Sequence, residues 1–82
     1  MGSELILFGT DHCALCDEAL ELLLSMPELA GLAVRTVDVA ADERLLADLG
    51  ERLPVLELQR PGRAPLRIDW PFDAVAIRRL LG

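Results

Sequence analysis

Cys13 and Cys16 stand three positions apart in the run FGTDHCALCDEAL, where an apolar segment gives way to helical spacing. Such a pair can form a reversible disulfide, supply part of a metal site, or fill a small core. Residues three apart at a helix start lie on one side of it, within reach of a disulfide after slight adjustment, whereas a helix interior resists that geometry. The unpaired N–H groups and positive end of a helix opening at the pair favour a thiolate on Cys13, and Cys16 falls one turn deeper on the apolar face. Cys13 is therefore the predicted nucleophile toward a disulfide, and Cys16 the thiol that resolves the mixed disulfide.

Asp11, Asp17 and Glu18 surround the pair with negative charge and no arginine lies within the motif, so only a mild lowering of the Cys13 pKa is expected. His12 is the sole histidine and reads more readily as a loop residue shaping the motif than as a base. A zinc site would have only Cys13, Cys16, His12 and Asp11 to draw on, all crowded together with no second pair, so no metal site is expected within one chain.

The 82 residues, 52% of them apolar, suffice for a single domain over residues 1–82 with one modest core. The net charge is −6, with acids spread from Glu4 to Asp73, and every cation is an arginine. Phosphate backbones require clustered cations. Arg60 with Arg63 around a turn, and Arg78 with Arg79 in a last helical turn, read as solvated cations, so no nucleic-acid partner is expected. Met1 to Leu7 carry no cationic leader or long apolar segment, and Ile6 stands where an acylation motif wants Ser or Thr. No membrane association is expected, and the chain reads as cytoplasmic. In a reducing compartment its two cysteines argue for a reversible or metal-linked role over a permanent structural disulfide.

The elements that position the pair follow from periodicity. Glu4 to Phe8 is a short apolar run suited to a buried strand. A helix from Cys13 toward Met26 turns Cys16, Leu20, Leu23 and Leu24 inward, with Thr10 or Asp11 capping its approach and Pro27 forcing its end. Leu32 to Val39 alternates as a strand, and Asp42 starts a short helix that Gly50 ends. Val55 to Leu58 and Leu66 to Ile68 form a hairpin across the Pro61–Gly62 turn, most simply type II, with Pro65 on or near an edge strand. Pro71 opens a last helix with Phe72, Val75, Ala76 and Leu80 along one face.

This order, βαβαββα, with Cys-x-x-Cys between the first strand and first helix and Pro54 opening the third strand, resembles the thioredoxin fold in its minimal, glutaredoxin-like form. That is an α/β fold with a four-stranded mixed sheet flanked by three helices. The stretches FGTDHCALCDEA, RLPVLEL and DWPFD are further similar to small bacterial glutaredoxin-like proteins. The resemblance implies a cis proline beside the cysteine pair, preceded by a residue whose backbone pairs with an extended peptide or glutathione. By position these are Pro54 and Leu53. Glutaredoxins carry a Gly-Gly pair and an acidic residue before the last helix to hold glutathione's terminal carboxylate. Here Ile68, Asp69, Trp70, Pro71 and Phe72 lead into Asp73, without the glycines. Asp69 and Trp70 are expected to rim the groove, while Trp70 and Phe72 are equally suited to staple the last helix to the sheet.

The activity so implied is thiol–disulfide exchange between the Cys13–Cys16 dithiol and a protein or glutathione disulfide. It needs no bound cofactor, an external thiol reductant such as glutathione, and only a monomer. Two rival readings are a thioredoxin-fold peptide- or protein-binding module with little-used cysteines, and an iron–sulfur carrier ligated through Cys13 across a dimer.

Overall fold

The computed structural model describes residues 2–82. Its strands are β1 (Glu4–Gly9), β2 (Ala33–Asp38), β3 (Val55–Gln59) and β4 (Leu66–Asp69). Its α-helices are α1 (Ala14–Leu24), α2 (Glu43–Leu49) and α3 (Ala74–Leu81), and short 3-10 turns cover Pro27–Leu29 and Val39–Ala41. The strands lie in the order β2-β1-β3-β4. β1 is parallel to β2 and antiparallel to β3, and β4 is antiparallel to β3. This is the minimal thioredoxin arrangement expected from the sequence, a mixed four-stranded sheet with three helices.

The alternation of side chains along each strand divides the core between the two faces of the sheet. Leu5 and Leu7 of β1 join Leu56 and Leu58 of β3 under α1 and α3, which contribute Ala19, Leu23, Ile77 and Leu80. Ile6, Phe8 and Val55 point the other way and meet Val39 and Leu49, the latter from α2. The edge strand β2 leaves most of its side chains exposed. The Pro61–Gly62 turn takes the expected form, with Arg63 N–H donating to Arg60 O at 3.2 Å and Gly62 at φ 71°.

Register brings the site to one end of the sheet. Gly9 stands opposite Asp38, Phe8 opposite Val55, and Val55 opposite Asp69. The C-terminal ends of β1, β2 and β4 therefore meet the start of β3. From that end emerge the cysteine loop, the Leu53–Pro54 segment and the Asp69–Trp70 segment.

Three local expectations are corrected. Neither Thr10 nor Asp11 caps α1; the cap is Cys13, whose sulfur takes the backbone N–H of Cys16. The inward face of α1 is Cys16, Ala19 and Leu23, while Leu24 lies about 100° further round and is 75% exposed. α3 starts after Pro71 rather than at it. Its N-cap is Asp73, whose carboxylate accepts Ala76 N–H at 2.8 Å, and its buried residues are Ile77 and Leu80 rather than Val75.

Candidate active site

The cysteine loop is shaped by one left-handed residue. His12 has φ 58°, a conformation costly for most side chains and more tolerable for His, Asn and Asp. It turns the chain out of β1, and Cys13 then follows in an extended conformation as N-cap. Cys13 Sγ accepts Cys16 N–H at 3.1 Å, satisfying one of the N–H groups a helix start leaves open, and Cys13 O accepts Asp17 N–H at 3.1 Å as the first bond of the helix. Cys13 and Cys16 form a disulfide across a Cα separation of 5.2 Å. Cys13 is half-buried, while Cys16 is only 8% exposed. Cys13 is therefore the more exposed member of the pair and Cys16 the more buried one.

The inward sulfur lies close against the glycine at the end of β1. A Cβ on Gly9 would stand 3.1 Å from Cys16 Sγ and 3.2 Å from Cys16 Cβ, closer than ordinary van der Waals contact. Beyond Cys16 a cavity of about 170 Å³ opens between α1 and β2, with Leu7, Leu20 and Val37 among its apolar walls and Asp11, Asp17 and Asp38 among its polar ones.

Across the sheet end, the Leu53–Pro54 peptide is cis, as the resemblance implied. Pro54 is fully buried and its carbonyl accepts Trp70 N–H at 3.1 Å, carrying the β3–β4 pairing one step past the strands. Leu53 is half-buried and packs on the α2-side cluster. Among the described residues no backbone hydrogen bond engages Leu53. Trp70 is half-buried and meets Phe72 edge-on, with centroids 5.0 Å apart and planes at 79°. Phe72 is itself core, so Trp70 staples the start of α3 to the sheet.

Asp69 does not stand alone. Its carboxylate lies 3.6 Å from Arg52, which also reaches Asp48 of α2 at 3.7 Å. Asp48 in turn takes Arg67 at 3.2 Å, and Arg67 Nε donates to Glu57 at 2.6 Å. Glu57 is 4% exposed, receives a second hydrogen bond from Gln59, and lies beside a guanidinium that stacks 5.6 Å from the Phe8 ring centroid. The hydrogen bond to Glu57 raises the Arg67 pKa above its ordinary value, against a desolvation cost. This chain of charges ties α2 and the segment before Pro54 to β3 and β4. Sequence reading passed over Arg52, Glu57, Arg67 and Gly9. For Glu57, the only trace is its alternation with Leu56 and Leu58, which sets it on the α2 face.

Among the described residues no group of three or more His, Cys, Asp or Glu side chains is placed to hold a metal ion. Among them, too, no helix is long and apolar enough to cross a membrane.

Residues 4–82 match the family described as Glutaredoxin-like domain (DUF836). The chain is similar to the structural-genomics target protein XcR50 from X. campestris. Its crystal structure is 38% identical, with TM-score 0.70, over 94% of this chain and 93% of that one. Its solution structure gives 37% identity and TM-score 0.68 over 95% and 91%. Thioredoxin 1 from the thermophilic eubacterium Thermosipho africanus shares the fold at 15% identity, TM-score 0.72, over 95% of this chain and 89% of that one. No curated protein matches. A cysteine pair opening α1, a cis proline opening β3 and a family match spanning nearly every residue agree, and the chain belongs to the glutaredoxin-like domain family on a thioredoxin fold.

Proposed function

We propose that the protein is a thiol–disulfide oxidoreductase acting on a protein or glutathione disulfide, without a bound cofactor and with an external thiol as reductant. The observation that carries this reading is the Cys13–Cys16 disulfide at the start of α1, its outer sulfur on the helix N-cap and its inner sulfur buried. The unengaged backbone of Leu53 at the same end of the sheet supports docking of an extended substrate.

In the reduced protein the Cys13 thiolate attacks one sulfur of the substrate disulfide. That S–S bond breaks, the second substrate sulfur leaves as thiolate, and a mixed disulfide joins Cys13 to the first. Cys16 loses its proton to solvent and attacks Cys13 Sγ, expelling the remaining substrate thiolate and forming the Cys13–Cys16 disulfide. The substrate gains the electron pair that the protein dithiol loses, and two equivalents of external thiol reset the site.

The test is a trap. Cys16→Ser removes the resolving thiol, so disulfide-linked partners should accumulate on Cys13 and be released by dithiothreitol. The wild-type pair should titrate with a reduction potential between about −270 and −180 mV, the span of working oxidoreductases. If the pair fails to oxidise and reduce reversibly, the reading fails and a binding module takes its place.

A further inference from the structure

We infer that the redox site selects protein disulfides flanked by lysine or arginine and disfavours anionic ones, glutathione disulfide included. This rests on the oxidoreductase reading above and adds its substrate class. From Thr10 to Glu21 the chain carries Asp11, Asp17, Glu18 and Glu21, all exposed, and no arginine. β2 adds Asp38, in register with Gly9 beside the cysteine loop. Asp11, Asp17 and Asp38 line the cavity behind Cys16 on the β2 side, and Asp11 stands two residues before Cys13, so negative charge flanks the disulfide.

The cations do not offset it. Arg52, at the same end of the sheet, is half-exposed but lies between Asp48 and Asp69 at 3.7 and 3.6 Å, and Arg67 is held by Glu57 and Asp48. Arg44 follows Asp42 and Glu43 directly. Arg60 and Arg63 lie in the β3–β4 turn, at the opposite end of the sheet. Arg78, in the last turn of α3, pairs with Glu28, just beyond the end of α1 remote from the cysteines. The cysteine loop is thus acidic, while Arg60, Arg63 and Arg78 lie away from it. Charge of one sign around a reactive group concentrates ligands of the opposite sign and speeds their encounter, an effect that salt removes as the screening length shrinks.

The test uses the full chain, reduced with dithiothreitol and freed of it, against two disulfide-looped peptides that differ only in lysine or glutamate beside the cysteines. Each single-turnover rate constant is divided by that of 2-mercaptoethanol with the same peptide, which removes the intrinsic reactivity of the two disulfides. At about 20 mM ionic strength the normalised lysine rate should exceed the glutamate rate at least tenfold, falling below about threefold at 0.5 M. Asp11→Asn with Asp17→Asn and Asp38→Asn should lower the low-salt ratio, whereas Arg63→Gln at the far end should leave it in place. Equal normalised rates, or a ratio that neither salt nor the asparagines move, would overturn the charge selection while the oxidoreductase reading stands. If neither peptide oxidises the dithiol, both fall.

Discussion

Cys13 Sγ lies 3.1 Å from the backbone N of Cys16 and accepts its N–H, so one sulfur both caps α1 and forms the disulfide. After reduction the same N–H and the positive helix end favour the thiolate, while Asp11, Asp17 and Glu18 oppose it. Iodoacetamide alkylation of Cys13 should inflect below the roughly 8.5 of a free cysteine and above about 5. An inflection under that lower bound would show that the carboxylates hardly count. Cys13→Ser keeps an acceptor at the cap and Cys13→Ala does not, so in urea the alanine variant should be less stable than the serine variant by about 1 kcal/mol.

Gly9 governs the other sulfur. Its φ is not positive, so alanine is conformationally acceptable there, but the added Cβ would press on Cys16 Sγ at 3.1 Å. In the disulfide that sulfur is tethered, whereas in the dithiol it can rotate away. Gly9→Ala should therefore destabilise the oxidised form more than the reduced form and raise the reduction potential by about 15–30 mV, equivalent to about 0.7–1.4 kcal/mol. A lowered potential would mean that the strand gives way rather than the sulfur.

His12 gives the cysteine loop its left-handed turn. At φ 58° glycine is at ease and a β-branched residue is not. His12→Gly should keep the folding stability and the Cys13 alkylation rate within about twofold, while His12→Val should lose about 1–2 kcal/mol. If the glycine variant loses alkylation rate at pH 7 by tenfold or more, the imidazole itself takes part.

Glu28 provides the acid-side test. The hydrogen bond from Arg78 lowers its pKa below the ordinary value of 4.5. A carboxyl whose folded pKa is depressed adds stability above its unfolded pKa and loses it as pH falls through the folded one. Glu28→Gln should therefore flatten the loss of stability below about pH 4.5 and matter less in high salt, since both partners face solvent. An unchanged acid slope would show the pair to be idle.

The cysteine pair, the proline and the order of elements were legible because each is written in local sequence: a spacing, a ring without an N–H, a change of hydrophobic period. The cap was not. Thr10 and Asp11 are better cappers by residue type, but the left-handed turn at His12 moves the helix start past both and leaves Cys13 in the capping position. The start of α3 escaped for a similar reason. Pro71 looks like a first helical residue, yet its peptide to Trp70 is cis and Asp73 caps the helix instead. The charge chain from Glu57 to Asp69 joins residues far apart along the chain, and only the register of β3 and β4 with α2 brings them together.

That chain is unequal along its length, and its inequality is measurable. Glu57 has a side chain 5% exposed with Arg67 at 2.6 Å, whereas Arg52 is 45% exposed and holds both of its partners beyond 3.5 Å. Exposed pairs contribute about 0–1 kcal/mol, while removing one partner of a buried pair leaves a charge without solvent and costs about 3–5 kcal/mol. Arg67 is itself 37% exposed, so the cost falls somewhat below that range. Arg67→Met should destabilise the protein in urea by about 2–3 kcal/mol, and Arg52→Met by less than about 1 kcal/mol. Adding Glu57→Leu to Arg67→Met removes the stranded carboxylate and should recover part of the loss, since Ile6 and Phe8 already make that face apolar. A double variant less stable than Arg67→Met alone would mean that the Glu57–Gln59 hydrogen bond, not the ion pair, holds this face of β3 in place.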